Sequence, residues 1–427
     1  MPGLNDRTAT EVVRLVAEGK ATAEQVVRDC IERIAAREAD TRAWQYFDAG
    51  QALARARAVD ARAAGGPLRG VTFGIKDIID TCDMPTEYGS PIYRGNQTRN
   101  DAACVALGRA AGAVLLGKTV STEFANLFPG KTRNPYDPTR TPGGSSSGSA
   151  AAVADRMAHL AIGTQTTASP IRPASFCGVY GYRPTYGEIS CSGVRAAAGS
   201  IDSVGLLARS VEDIALYRDV LVGTDVVPVG RAPAGIRVGV CRTHFWDQLE
   251  PGVADLYEHA ATRLAASGAR VTEVELPAAF RDVETVHRHI SSFEFVRNFT
   301  HETTHHWEQI SPMLRGGRLT DGRACTFEQY LAAQEAATAL RLQMDDVMRD
   351  HDVLLTPAAA GEAPVGLQST GKTAYCTIWT TVHVPALTVP VFKGRNGLPI
   401  GAQLIGARHR DRALFAAARR IVDVLGQ

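Results

Sequence analysis

The first part of the chain places apolar residues at helical spacing. Val26, Val27, Ile31 and Ile34 recur at three- and four-residue steps with charged residues between them, and Val12 begins a similar run. Such spacing puts the apolar side chains on one face of a helix. The pattern predicts an N-terminal helical layer over residues 8–63.

Beyond a Gly-Gly-Pro breaker at 65–67, short apolar runs alternate with helical stretches. This alternation is typical of an α/β fold, in which helices cover both faces of a mixed, mostly parallel sheet. Because no repeat or long linker interrupts the pattern, we expect one compact α/β/α domain over residues 1–427. Strands are predicted at 71–75, 113–116, 159–162, 236–240 and 271–276, and helices at 101–111, 254–265 and, for the most part, 281–350.

Composition narrows the function class. The 427 residues carry 46 Lys and Arg against 45 Asp and Glu, so no basic field would attract nucleic acid or a membrane surface. No apolar run reaches the roughly 18 to 20 residues that cross a bilayer, and the polar, amphipathic start is unlike a signal peptide. The eight cysteines are scattered, which favours reduced and mostly buried thiols. We expect a cytoplasmic protein with a small-molecule substrate.

Two serine-containing loops flank one predicted strand. A Gly/Ser loop at 143–149 opens an alanine-rich helix, and the strand at 159–162 ends in a second small-residue loop that contains Ser169. Glycine lets a backbone approach a ligand closely, and the N–H groups of a turn just beyond a strand can point at a developing negative charge. The arrangement indicates a catalytic serine.

The segments that carry these loops, TPGGSSSGSA and GTQTTASPIRPASFCG, together with GVTFGIKDIID at 70–80, resemble the signature of the amidase signature family. The resemblance also covers 199–221, 352–357, 384–390 and 397–406. It implies cleavage of a C–N bond in a small amide or carbamate through an acyl-enzyme, with water as co-substrate and no cofactor or metal. It implies a signature core at about 70–215 and a variable region at 280–350 that shapes the pocket. A homodimer is possible.

The same resemblance implies a Ser–cis-Ser–Lys triad. Ser169 is the nucleophile, Ser145 the bridging serine held by a cis peptide bond, and Lys76 the general base. A lysine accepts a proton only when neutral, and burial lowers its pKa from about 10.4. The apolar residues before Lys76 favour a buried position, while adjacent Asp77 on a strand would point to the opposite face.

The resemblance further implies an oxyanion hole made by the backbone N–H groups of Thr166, Thr167, Ala168 and Ser169. Here the sequence departs from the family, which has two glycines where this chain has Thr167 and Ala168 and an acidic residue where it has Gln165. A β-branched residue at positive φ is strained. The loop is therefore either shaped differently or holds a strained threonine, and we expect its side chains to restrict the substrate.

Two nearby residues have alternative interpretations. Arg172, three residues after the nucleophile, could bind a substrate carboxylate, as an arginine does in some relatives, or pair with a core carboxylate. Cys177 could be a thiol nucleophile, although free cysteines are more often small buried hydrophobes. Both alternatives for Arg172 stay open from the sequence.

Two competing functions remain. His301, Glu302 and His305 form an HExxH, whose spacing puts two imidazoles on one helical face as in a zinc protease. The short motif lies where the family resemblance is weakest. The second alternative is an amidotransferase component of the A type, which shares the signature and delivers ammonia to a partner.

Overall fold

The computed structural model describes residues 3–62 and 65–426. Eleven strands in this part of the chain form one sheet. They are β1 (Trp44–Phe47), β2 (Thr72–Lys76), β3 (Val114–Thr119), β4 (Leu160–Gln165), β5 (Tyr180–Arg183), β6 (Ser203–Ala208), β7 (Arg237–Cys241), β8 (Arg270–Val274), β9 (Val353–Pro357), β10 (Ala386–Lys393) and β11 (Pro399–Ile405). Their spatial order is β1-β3-β2-β4-β6-β5-β10-β11-β9-β7-β8.

Helices separate most of these strands along the chain. The first two begin with capping boxes, in which Thr8 pairs with Glu11 and Thr22 pairs with Gln25. A π-helical segment, Arg315–Leu319, joins two short helices. The α-helices are α1 (Ala9–Ala17), α2 (Ala23–Thr41), α3 (Ala49–Asp60), α4 (Ala103–Ala110), α5 (Ser147–Ala154), α6 (Ile171–Cys177), α7 (Val211–Val222), α8 (Val253–Ala266), α9 (Val283–Asn298), α10 (Thr300–His305), α11 (Pro312–Leu314), α12 (Thr320–Ala324), α13 (Phe327–Arg349), α14 (Ala374–Thr381) and α15 (Asp411–Leu425).

Helices cover both faces of the sheet, as the sequence predicted. Strand β3 shows how: Leu116 packs with Ile34 of α2 in one apolar cluster, whereas Leu115 packs with Val105 of α4 in another. Successive side chains of a strand point to opposite faces, so the two clusters lie on opposite sides. The predicted strands at 71–75, 113–116, 159–162, 236–240 and 271–276 are all confirmed within a few residues.

The sheet is mixed, but the expectation that it would be mostly parallel is wrong. Of the ten strand pairings among the described residues, six are antiparallel and four are parallel. Strands β10 and β11 show one cause, because the Gly394 N–H donates to the Leu398 carbonyl over 2.9 Å and closes a tight turn between them. Strands joined by so short a turn must run antiparallel.

The predicted N-terminal layer is helical in α1, α2 and α3 but also contains a strand that the pattern did not predict. Strand β1 pairs antiparallel with β3, with Trp44 opposite Thr119. Trp44 is buried against the helices. The extended conformation of β1 depends on β3, a partner strand about seventy residues away in the sequence. The predicted end of the layer at residue 63 lies outside the described residues.

The fold brings the two serine loops and the lysine to one edge of the sheet. Strands β2 and β4 are parallel neighbours, so their carboxyl ends, Lys76 and Gln165, meet there. A loop of five residues, 166–170, connects β4 to α6, and Ser145 lies just before α5.

No helix in residues 3–62 or 65–426 is long and apolar enough to cross a bilayer.

Candidate active site

A continuous chain of hydrogen bonds joins the three residues that the sequence singled out. The Ser169 Oγ lies 2.7 Å from the Ser145 Oγ, which lies 2.6 Å from the Lys76 Nζ. The peptide bond between Gly144 and Ser145 is cis. The Ser145 N–H also donates to the Ser169 Oγ over 3.0 Å, and either hydroxyl of the serine pair could donate to the other.

Lys76 sits in surroundings that favour its neutral form. Its side chain is fully buried, and burial lowers its pKa to about 7, with only the more distant Asp202 acting in the opposite direction. The Lys76 Nζ donates a second hydrogen bond to the Thr164 Oγ1 over 2.9 Å. Asp77 does not pair with Lys76; its carboxylate faces Lys118 on the other side of the strand.

The loop after β4 is held through its carbonyl groups. Neutral His287, on α9, donates from Nε2 to the Thr166 carbonyl over 2.8 Å. The Thr380 hydroxyl, on α14, donates to the Thr167 carbonyl over 2.9 Å. In a trans peptide the C=O and N–H bonds point in opposite directions. The N–H groups of Thr167 and Ala168 therefore point away from these two anchors.

The next peptide follows the same rule. The Ala168 carbonyl accepts from the Arg172 N–H over 3.0 Å in the first turn of α6, which turns the Ser169 N–H the other way. The N–H groups of Thr167, Ala168 and Ser169 donate to no other group of residues 3–62 and 65–426. Three donors on consecutive residues are thus available to a ligand next to the Ser169 hydroxyl.

Side chains fix the same loop from behind. The Thr166 hydroxyl donates to Asp202 over 2.6 Å, and the Gln165 amide donates over 2.9 Å to the Thr380 hydroxyl that holds the Thr167 carbonyl. None of the loop residues from 165 to 169 has a positive φ. Of the two shapes that the sequence left open, the loop adopts the unstrained one, with Thr167 in place of glycine.

Known proteins are similar to this chain in both sequence and fold. The "Amidase" family model matches residues 25–415 of the chain. The chain belongs to this family. It is 34% identical to the A subunit of the glutamyl-tRNA(Gln) amidotransferase of Chloroflexus aggregans, over 99% of this chain and 98% of that protein.

Amidases of solved structure share the fold over nearly the whole chain. A structure described as an amidase aligns with a TM-score of 0.89 and 30% identity, over 98% of this chain and 99% of that one. The peptide amidase of Stenotrophomonas maltophilia aligns with a TM-score of 0.85 and 28% identity, over 99% and 97%. The predicted family and fold are therefore confirmed.

Two adjoining cavities open at the serine edge of this amidase-family chain. The smaller, of about 20 Å³, is lined by Ser145, Ser169 and the loop 166–168. The larger, of about 440 Å³, is lined in part by α9 and by Gly317, Arg318 and Asp321. Thr167, Arg318 and Thr373 line both, together with Asn126 and Leu127.

Arg172 is buried, and the core carboxylate that one interpretation required is not its partner. Its Nη1 donates to the Gly371 carbonyl over 2.8 Å, and its Nη2 donates to the Gly144 carbonyl over 2.6 Å and to Thr370 over 3.0 Å. These bonds tie the loop before Ser145 to the segment before α14. Both terminal nitrogens are thus occupied by the protein itself.

The other candidate nucleophile, Cys177, and the HExxH glutamate, Glu302, both have structural roles. Cys177 is buried among apolar residues of α5 and β4, and burial raises the pKa of its thiol above the ordinary value. Glu302 of the HExxH points into the protein, where it accepts from Arg195 and from Tyr93. The chain around His301 therefore uses its acidic residue as a buried ion-pair partner.

Metal-ligating atoms cluster at a different place in the described residues. Cys82, Asp83 and Asp101 bring ligand atoms within 4.8 Å of one another. Asp83 is already paired with Arg55 at 2.8 Å and with Arg109 at 2.6 Å. These ion pairs with arginine account for the partly exposed Asp83 without a bound metal ion.

Sequence reasoning missed several residues that hold the site. Thr164 lies in the matched segment, and its hydroxyl accepts from the Lys76 Nζ. Asp202 lies in the GSIDS run and could have been noticed there. His287, Thr380 and Arg318 come from distant helical segments and belong to no local motif.

Proposed function

We propose that this chain is a serine amidohydrolase that cleaves the C–N bond of a small amide or carbamate through an acyl-enzyme. Ser169 is the nucleophile, Ser145 relays its proton and Lys76 is the base. The observation that carries the proposal is the unbroken path from the Ser169 Oγ to the Lys76 Nζ, with steps of 2.7 and 2.6 Å. A serine needs such a base, because its hydroxyl is a weak nucleophile at neutral pH.

The path accounts for each proton. As the Ser169 oxygen attacks the carbonyl carbon, its proton passes to the Ser145 oxygen while the Ser145 proton passes to neutral Lys76. The Lys76 ammonium then returns a proton through Ser145 to the leaving nitrogen, and the C–N bond breaks. Water attacks the ester by the same route and releases the acid, which restores Ser169 and neutral Lys76.

The loop 166–169 is the proposed oxyanion hole. Its N–H groups are turned away from carbonyls that are held by His287, Thr380 and the first turn of α6. Donors that are fixed before the reaction stabilise the developing charge without rearrangement. The support is strongest for Thr167, Ala168 and Ser169. The Thr166 N–H precedes the first anchored carbonyl and stays a prediction.

A hydrolysis panel tests the reaction class. The isolated chain is incubated with aliphatic amides, aryl amides, carbamates and esters, and the released amine or alcohol is measured. We expect turnover of at least one small amide that is lost in Ser169→Ala. Equal turnover by the parent chain and Ser169→Ala across the panel would contradict the proposal.

A second function is favoured by the sequence relatives, several of which are named as the A component of glutamyl-tRNA(Gln) amidotransferase. In such a role the same serine site would hydrolyse glutamine, and the ammonia would pass to a partner protein. Glutamine hydrolysis that is negligible in the isolated chain and rises on adding the other components of such a complex would favour this function. Robust hydrolysis of small amides by the chain alone would favour the first.

A further inference from the structure

Arg318 is the cationic side chain at the junction of the two cavities that is not tied to the protein. It lies in the π-helical segment, inside the 280–350 region, and lines both the small cavity beside Ser169 and the larger one. Arg172 also lines the small cavity, but carbonyl groups occupy its terminal nitrogens. Arg288 is exposed and lines the larger cavity but not the small one.

The Arg318 guanidinium has donors to offer. Its side chain is half-buried, with its central carbon 5.8 Å from the centre of the Phe295 ring. No hydrogen bond or ion pair within residues 3–62 and 65–426 engages its five N–H groups. A guanidinium removed from bulk water without an acceptor is unfavourable, and its planar fork matches a carboxylate.

The acidic groups around Arg318 leave it without a close partner. Asp202 is nearby, but its oxygens accept from Thr166 and from two backbone N–H groups of residues 197 and 198. Asp321 and Glu284 line the larger cavity, are exposed, and do not come within ion-pair distance. Burial lowers the pKa of Arg318 to about 10, so it keeps its charge at neutral pH.

His287 cannot substitute as an anion-binding group. Burial and the neighbouring Arg318 lower its pKa to about 4, and its Nε2 hydrogen is donated to the Thr166 carbonyl. A substrate group that enters from the larger cavity therefore passes the exposed Arg288 and meets Arg318 at the junction with the cavity beside Ser169. The cavity beside Ser169 is small, which favours a short connection between that group and the scissile carbonyl.

We propose that Arg318 binds a carboxylate of the substrate, and that the substrate class is therefore a short aliphatic amide that carries a carboxylate close to its scissile carbonyl. The inference rests on the proposed amide hydrolysis and names its substrate. Charge-assisted bonds from a guanidinium are stronger than neutral ones, and a bidentate pair also fixes orientation. Arg318 thereby selects the substrate, while Ser169, Ser145 and Lys76 perform the reaction.

The test compares two amides of the same shape. Succinamate carries a carboxylate where 4-methylpentanamide carries an isopropyl group. For the parent chain we expect kcat/KM to be about 10- to 100-fold higher for succinamate, the range of a charge-assisted hydrogen bond. Arg318→Met keeps an unbranched stem without the charge and should reduce this ratio to near one, whereas Arg318→Lys should give an intermediate ratio.

Arg288→Met is the matched control, since it removes an arginine from the larger cavity alone, and it should keep the preference of the parent chain. A second measurement avoids turnover altogether. Calorimetric titration of succinate into Ser169→Ala should detect binding, and the added Arg318→Met change should weaken it by about 10-fold or more. Thermal unfolding checks that each variant is folded.

The outcomes separate the two proposals. Hydrolysis of 4-methylpentanamide that depends on Ser169, with no preference for succinamate in the parent chain, would overturn the role of Arg318 and leave the amidase mechanism intact. A preference that persists in Arg318→Met would also overturn it. Loss of Ser169 dependence for both amides would instead contradict the proposed function.

Discussion

Arg172 and Arg318 are two arginines beside the same cavity, and they differ in what the protein does with them. Arg172 belongs to the signature core, and its terminal nitrogens donate to the Gly144 and Gly371 carbonyls. Arg318 belongs to the 280–350 region, and no hydrogen bond within the described residues engages it. The first arginine is part of the scaffold of the site, and the second faces what enters it.

The same contrast holds for the two regions as wholes. In the signature core, Lys76, Ser145 and Ser169 are buried and joined by short hydrogen bonds. The 280–350 region contributes one anchor to the loop after β4, His287, and otherwise lines the larger cavity and, through Arg318, the small one. The three hydrogen-bonded residues and most of the cavity wall therefore come from different parts of the chain, so the wall can differ between proteins of one fold while the three residues stay the same.

The largest effect is expected for Ser169→Ala. Removing the nucleophile should lower kcat by about 10⁴-fold or more, since the remaining groups act only in concert with it. Cys177→Ala, in the same segment but buried away from both cavities, should retain near-parental turnover after its stability is checked. The reverse ranking would assign the reaction to the thiol.

Lys76 predicts the pH dependence. Burial lowers its pKa to about 7, and the neutral form is the proposed base, so kcat/KM should rise with pH around that value and level off above it. Lys76→Ala should lower the rate by about 10²- to 10⁴-fold, the range of general base catalysis. An acidic optimum that Lys76→Ala leaves unchanged would show that another group accepts the proton.

His287 tests whether the 280–350 region contributes to the core chemistry. His287→Leu removes the donor to the Thr166 carbonyl, and we expect kcat to fall by about 10- to 100-fold, less than the loss of a direct oxyanion donor, with KM little changed. His287→Gln, which places an N–H at a similar distance from the Thr166 carbonyl, should recover part of the lost kcat. Because His287 is neutral above a pKa of about 4, the alkaline rise should keep its midpoint in both variants.

A shift of that midpoint in His287→Leu would contradict a purely positioning role, because it would show that the imidazole influences Lys76. A proportional rise of KM with unchanged kcat would place His287 in substrate binding instead.

The smallest effect is expected from the loop residues that replace glycine in the family. Thr167 lines both cavities, whereas Ala168 is buried in an apolar cluster and lines the small one. Thr167→Gly with Ala168→Gly should raise the relative kcat/KM for bulkier acyl groups by a few fold and lower turnover of the best substrate, because a glycine loop is less preorganised. An unchanged ranking across acyl groups would assign specificity to the 280–350 region alone.

The sequence could single out the three residues that the structure joins because each of them lies in a local motif. Lys76 ends an apolar strand, and Ser145 and Ser169 lie in small-residue loops at either side of β4. Their convergence follows from the parallel pairing of β2 with β4. The strand β1 was missed because its conformation is decided by pairing with β3, which lies about seventy residues further along the chain.

The specificity side could not be predicted in the same way. Whether an arginine is engaged or open depends on carbonyl groups supplied by distant segments, as Gly371 does for Arg172. Likewise, the carbonyl anchors Thr380 and His287 approach the loop from α14 and α9. Such contacts leave no periodic or local signal, and the sequence could indicate only that the 280–350 region would matter.

The measurement that tests the central claim most directly is the location of the covalent intermediate. The chain is reacted with a small activated acyl donor, such as a p-nitrophenyl ester, quenched in acid and analysed by peptide mass spectrometry. We predict one added acyl group on Ser169, formed much more slowly in Lys76→Ala and absent in Ser169→Ala. An acyl group on Cys177 or another residue, or labelling of Ser169 that is independent of Lys76, would contradict it.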